Sequence, residues 1–107
     1  MKNANEMRTI ANEYNEQFTL DKAIPAIDKY LENFIKSEAL AGNYSTKVNL
    51  SEVCRAIEEI EYIGARILKR HTFTQVKDKT IEILTNAGYK AIDYNSYLLV
   101  KWEMVEA

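Results

Sequence analysis

The chain has 107 residues, of which 47% are hydrophobic and 28% charged, and its formal net charge is −2. This composition excludes a disordered chain and is typical of one soluble globular domain with a cooperative core. No run of 18 apolar residues occurs, so we expect no membrane span, and the near-neutral charge argues against a dedicated nucleic-acid-binding protein.

The organisation that we predict is a single domain over 1–107. It divides into a helical arm (1–41), an α+β unit (42–104) and a short tail (105–107). The N-terminal residues contain no apolar segment of the kind found in signal peptides, and Cys54 is the only cysteine. An intramolecular disulfide is therefore excluded, and we expect a cytoplasmic protein.

The first 40 residues carry apolar side chains at three- and four-residue steps, which predicts two amphipathic helices. The first spans 5–18. Asp21 is a candidate N-cap for the second, and Pro25 then falls in its first turn, where the missing N–H costs little. A single helix kinked at Pro25 is the alternative. Gly42 is expected to end this helical region.

The middle of the chain alternates in polarity over 44–50, which predicts a short, half-buried strand. Ser51 is a candidate N-cap for one long helix over 51–70. Within that helix, Gly64 marks either a weak point or a site of close packing.

A further helix is predicted over about 73–87, because Thr72 fits a helix start and Gly88 a helix stop. A hairpin closes the chain. The predicted fold class is therefore α+β, with two N-terminal helices followed by a strand-helix-helix-β-hairpin unit and a small three-stranded antiparallel sheet.

The hairpin is predicted from Asn95 and Ser96, a two-residue polar gap between two runs rich in aromatic and branched residues. The resulting register groups six side chains on one face: Tyr94, Tyr97, Ile92, Leu99, Lys90 and Lys101. The opposite face ends in Tyr89 and Trp102 and is predicted to face the core. A solvent-facing sheet is rarely as apolar as the first face, so either other elements cover that face or it binds a partner.

Residues suited to catalysis or metal binding are sparse. Cys54 lies near the apolar stripe of its helix, so a packing role is expected, and His71 lies at a helix end, where we expect a surface or capping role. A cluster of three glutamates, Glu58, Glu59 and Glu61, is expected to be solvated. One His and one Cys cannot complete a structural zinc shell, and we expect no cofactor and no enzymatic activity.

One region is basic: between residues 62 and 90, six lysines and arginines face only two acidic residues. The order strand-helix-helix-hairpin is also that of a winged-helix domain, whose second helix enters the DNA major groove. The candidate DNA contacts are Arg66, Lys69, Arg70, Thr74, Gln75, Lys77 and Lys79. Two features argue against this hypothesis: the long preceding helix and the absence of Arg or Lys at the wing tip formed by Asn95 and Ser96.

Three segments, 39–50 (ALAGNYSTKVNL), 81–90 (IEILTNAGYK) and 98–102 (LLVKW), resemble small, uncharacterised proteins of bacteriophages and prophages of Gram-positive bacteria. The resemblance implies an N-terminal helical arm and a compact α+β unit that ends in a hairpin and a tryptophan. It also implies an accessory protein of the host cytoplasm that binds and blocks a host or phage component, and it implies no catalytic residues.

The leading hypothesis from the sequence is a non-enzymatic interaction protein that binds another protein or its own copy. Its binding surface is either the Tyr94/Tyr97 face of the hairpin or the apolar stripe of the N-terminal helices. The alternative is a winged-helix-like DNA-binding protein that uses the helix at about 73–87.

Overall fold

The computed structural model describes residues 1–103. Along these residues the elements are α1 (Ala4–Asn15), α2 (Ile24–Leu40), β1 (Ser45–Asn49), α3 (Leu50–Glu58), α4 (Gly64–Arg70), α5 (Phe73–Asn86), β2 (Lys90–Asp93) and β3 (Tyr97–Lys101). Two short 3-10 helices, Glu16–Phe18 and Leu20–Ala23, connect α1 to α2. The fold is α+β, as predicted, and the tail predicted at 105–107 lies outside the described residues.

The three strands form one antiparallel sheet in the order β1-β3-β2, so the last strand is central. The hairpin register is the predicted one, with Ile92 opposite Leu99. Asn95 adopts the positive φ, 72°, that a tight hairpin turn requires. On the other side of β3, Val48 of β1 lies opposite Leu98.

The helices pack against one face of this sheet. Val48, Leu98 and Val100 are fully buried there. They form a single cluster with the buried side chains of the helices: Ile27, Leu31, Ile35, Leu50, Val53, Ile57, Ile67, Val76 and Leu84. Tyr89 and Trp102 pack against the same cluster in an edge-to-face pair, with ring centroids 6.4 Å apart. The prediction that this hairpin face is directed to the core is confirmed.

The single long helix predicted over 51–70 is wrong, because α3 ends at Glu58 and α4 begins at Gly64. Ile57 and Ile67 are both fully buried, whereas a continuous helix would carry Ile67 roughly 15 Å beyond Ile57. Gly64 permits the reversal: a β-carbon there would overlap the carbonyl oxygen of Ile57 and lie 2.7 Å from that of Glu58. Tyr62, in the connection, has a positive φ of 70°.

The N-terminal region contains two separate helices, so the kinked single helix is wrong. Pro25 lies in the first turn of α2, as predicted. The prediction of Asp21 as N-cap is wrong, because Asp21 lies in the preceding 3-10 helix and its carboxylate is 3.4 Å from the Lys79 ammonium. Ser51 is likewise not an N-cap, since α3 begins one residue before it.

The start and end of α5 agree with the sequence pattern. The Gln75 backbone N–H donates to the Thr72 hydroxyl oxygen at 3.1 Å, and the Thr72 N–H donates to the Gln75 side-chain oxygen at 2.8 Å. This capping box satisfies two N–H groups that have no partner within the helix. At the other end, Gly88 has a φ of 94° and directs the chain into β2.

Candidate binding surface

The face of the sheet that points away from the core carries all six residues that the sequence grouped on one side of the hairpin. We call it the outer face. Strand pairing adds three positions from β1, so that its members are Ser45, Lys47, Asn49, Lys90, Ile92, Tyr94, Tyr97, Leu99 and Lys101. None of its apolar and aromatic members, Ile92, Tyr94, Tyr97 and Leu99, belongs to the core cluster or is among the half-buried hydrophobic residues that pack against it. Within residues 1–103, the helices therefore leave this face open.

The outer face is aromatic at the end near the hairpin turn. The rings of Tyr94 and Tyr97 stack with centroids 5.1 Å apart and planes within 9°. The Lys47 ammonium lies 5.0 Å from the centroid of the Tyr97 ring, a cation–π distance. Tyr97 is half-buried by these neighbours, whereas Tyr94 remains 48% exposed. The two rings and the Lys47 ammonium therefore contact one another on the outer face.

The charges on the outer face all have one sign, because it contains three lysines and no acidic residue. Asp93, the nearest acid in β2, belongs to the opposite face and is already engaged. The Asn95 backbone N–H donates to its carboxylate at 2.7 Å, and the Lys77 ammonium lies 3.0 Å away. Both interactions hold the pKa of Asp93 below its ordinary value, and the hydrogen bond from Asn95 is the larger cause. Asp93 therefore does not offset the lysines of the outer face.

The lysines proposed for DNA contact on α5 are held in ion pairs. Lys77 pairs with Asp93, and its side chain is only 14% exposed. The Lys79 ammonium lies 3.3 Å from the Glu82 carboxylate and 3.4 Å from the Asp21 carboxylate. The pKa of Lys79 is raised, chiefly by the hydrogen bond to Glu82. A phosphate would have to compete with these carboxylates for both ammonium groups.

The arginines proposed for DNA contact lie on α4, where they hold the N-terminal segment. The Arg70 guanidinium lies 4.5 Å from the centroid of the Phe18 ring and donates from Nε to the Asn15 side-chain oxygen at 3.4 Å. Arg66 lies 5.6 Å from the same ring. Lys69 is exposed, as are Thr74 and Gln75 at the start of α5. The seven candidates therefore do not form one free basic surface.

The side chains of Cys54 and His71 are engaged within the chain, Cys54 in packing against the core and His71 in a hydrogen bond. Partial burial raises the pKa of the Cys54 thiol, which disfavours the reactive thiolate. The His71 Nδ1–H donates to the Ile67 carbonyl oxygen at 2.7 Å.

Among residues 1–103 no group of three His, Cys, Asp or Glu side chains is placed to hold a metal ion. Over the same residues, no helix combines the length and apolarity that a membrane crossing requires.

A second open apolar surface lies on α1. No residue of this helix is buried. Met7, Ile10 and Tyr14 are each about half exposed, and we call these three residues the arm stripe. The radius of gyration is 17.0 Å, whereas a compact chain of this length has about 13 Å. The helix therefore projects from the body of the protein.

Comparisons with protein-family models, with curated proteins and with solved structures found no match to this chain. The resemblance to small phage proteins remains a prediction, and the functional conclusion rests on the geometry of the chain itself.

Proposed function

We propose that this is a non-enzymatic binding protein whose outer face docks onto another protein surface, one that is apolar at its centre and acidic at its rim. The observation that carries the proposal is the outer face left open by the helices. It combines the exposed Tyr94 and the half-buried Tyr97, Ile92 and Leu99 with three lysines and no acid. Large apolar patches on a soluble protein mark interaction sites more often than chance allows.

The arrangement of the outer face suits binding energetically. The stacked Tyr94 and Tyr97 rings need little further ordering, so a partner that covers them loses little conformational entropy. Leu99 and Ile92 offer apolar area beside these rings. The lysines speed encounter with an acidic partner and make its association rate depend on salt. The resemblance to small phage proteins supports a role in which such docking blocks a host or phage component.

The test begins with capture of partners by the immobilised protein from a lysate of a Gram-positive bacterium. Captured proteins are identified, purified and titrated against the wild-type chain, the Leu99→Glu variant and the Thr85→Glu variant. Thr85 is an exposed residue of α5 and is the matched control for an added charge. We expect Leu99→Glu to weaken binding roughly tenfold or more, and Thr85→Glu to leave it unchanged. Equal affinities for all three chains would contradict the proposal.

A second candidate function is DNA binding by a winged-helix-like arrangement. The observation that favours it is the short α3, only nine residues long, which removes one objection raised by the sequence. The ion pairs of Lys77 and Lys79 weigh against it. Fluorescence anisotropy with duplex DNA at low salt tests this candidate. It requires salt-dependent binding that is lost on replacing Lys77 and Lys79 by alanine, and no anisotropy change would remove it.

A further inference from the structure

The two open apolar surfaces of this chain complement each other. We infer that the outer face of one copy binds α1 of a second copy, so that the protein self-associates by exchange of its N-terminal helices. The inference rests on the proposed function, because it names an occupant for the outer face. It concerns a second copy of this chain and no other partner.

The arm stripe is the first argument. An isolated helix of 12 residues is marginally stable in water, yet α1 is well specified by its sequence. The Glu6 backbone N–H donates to the Asn3 side-chain oxygen at 2.9 Å, which caps the helix. No residue of its apolar stripe is buried within residues 1–103. A helix with these properties gains most of its stability by packing the stripe on another surface.

The dimensions of the two surfaces are the second argument. A 12-residue helix is about 18 Å long. The outer face spans three strands, or about 10 Å between the outermost strand axes, and its strands of four or five residues are roughly 15 Å long. The arm stripe therefore fits over the apolar centre of the outer face, which consists of Ile92, Leu99, Tyr94 and Tyr97.

Charge complementarity is the third argument. Glu6 and Glu13 are seven residues apart, so both lie on one flank of the arm stripe. The outer face presents Lys47, Lys90 and Lys101 and no acid. A helix laid on this face brings a glutamate flank against a lysine-bearing sheet, and the resulting attraction weakens as salt is added.

The contacts of α1 with its own chain explain why a second copy is required. They lie at the C-terminal end of the helix: the Tyr14 ring meets the Phe18 ring edge-on with centroids 5.2 Å apart, and Arg70 donates to Asn15. Phe18 is buried in the core. This anchor fixes the C-terminal end of α1. The arm stripe remains apart from the outer face of the same chain. A neighbouring copy brings the two surfaces together without refolding.

The experiment is sedimentation equilibrium of the full chain, of three disruptive variants and of one control variant. Ile10→Glu places a charge in the arm stripe, and Leu99→Glu places one in the outer face. Asn12→Glu adds the same charge to the polar side of α1 and is the control for the arm. Lys47→Glu is a second variant of the outer face. Because Lys47 is exposed, this substitution does not alter a half-buried side chain as Leu99→Glu does. Circular dichroism verifies that each variant is folded.

We expect the wild-type chain and Asn12→Glu to associate reversibly. Ile10→Glu, Leu99→Glu and Lys47→Glu are each expected to weaken association by roughly tenfold or more. An equimolar mixture of Ile10→Glu with Leu99→Glu should associate more tightly than either variant alone, because each mixed pair can form one contact between an unmodified arm stripe and an unmodified outer face. This recovery distinguishes helix-on-sheet exchange from arm-to-arm or sheet-to-sheet contact, neither of which the mixture restores.

Three results would overturn the inference: a wild-type chain that stays monomeric, association that survives the disruptive variants, or variants whose mixture does not recover. A monomeric wild type that still binds a purified partner through Leu99 would leave the proposed function intact. If helix exchange is observed but the purified partner binds all variants equally, the result would contradict the proposed docking onto another protein and leave the self-association in place.

Discussion

Tyr94 and Tyr97 flank the hairpin turn and stack on the outer face, with ring centroids 5.1 Å apart. The two residues at the turn between them, with Asn95 at a positive φ, fix this pairing. Because strand side chains alternate between faces, the same pairing directs Leu98 into the core and Leu99 outward. The separation of a core face from the outer face therefore starts at this turn.

The two faces of β3 are expected to differ in their effect on stability. Leu98 is fully buried, whereas Leu99 is half-buried on the outer face. We predict that Leu98→Ala lowers the free energy of unfolding by about 2–5 kcal/mol, and that Leu99→Ala lowers it by about 1 kcal/mol or less. Urea denaturation measures both. Similar losses for the two variants would mean that another part of the protein covers the outer face.

The break between α3 and α4 depends on close packing at Gly64. Gly64→Ala should lower the free energy of unfolding by about 3 kcal/mol, because the new β-carbon meets backbone atoms of Ile57 and Glu58 that cannot move independently. Gly42→Ala is the comparison: that position has space around it but a φ of 88°, so about 1 kcal/mol is expected. A Gly64→Ala variant as stable as wild type in thermal unfolding would contradict the observed packing.

The capping box of α5 gives a smaller, local effect. Thr72→Ala removes the hydroxyl acceptor of the Gln75 N–H, and we predict a loss of about 1 kcal/mol in the free energy of unfolding. Thr74→Ala, at an exposed site one residue into the helix, is the matched control and should cost less. Denaturant midpoints of the two variants provide the comparison, and a reversed order would show that Thr72 is not the cap.

The hairpin should be sensitive to acid through Asp93. The native interactions lower the pKa of Asp93, so they stabilise the fold when the carboxylate is ionised in both folded and unfolded chains. That contribution is lost as the pH falls from about 5 towards the lowered native pKa. We predict that the free energy of unfolding falls more steeply below about pH 5 for wild type than for Asp93→Asn.

Lys77→Ala supplies the control for the pH measurement. The Asn95 backbone bond is the larger cause of the lowered pKa of Asp93 and remains in this variant. Its pH dependence should therefore lie between those of the wild type and Asp93→Asn. Parallel curves for all three chains in urea denaturation at several pH values would show that Asp93 does not contribute.

Much of the fold is predictable from local sequence signals. The turn at Asn95, the cap at Thr72 and the stop at Gly88 each depend on a few adjacent residues, and the hairpin register follows from the turn. The break at Gly64 is not predictable in this way, because the apolar period continues through it and the reversal is decided by packing between α3 and α4.

The composition of the outer face is only partly predictable for the same reason. Alternation along β2 and β3 identified the outward side chains of the hairpin. Lys47 was missed because it joins them through the pairing of β1 with the last strand, which is distant in sequence. The engagement of Lys77 with Asp93 and the projection of α1 also depend on contacts between distant segments. The only local signal in the sequence is that β1, which precedes the hairpin, carries a single lysine.

The most direct test of the outer face as a binding surface is site-specific photocross-linking. Tyr94 is replaced by p-benzoylphenylalanine in one chain, and Phe73, an aromatic residue of equal exposure at the start of α5, is replaced in another. Both chains are irradiated in cells of a Gram-positive bacterium. We predict covalent protein adducts, with a second copy or with another protein, from position 94, and their loss when Leu99→Glu is added. Adducts from position 73 with none from position 94 would contradict the account.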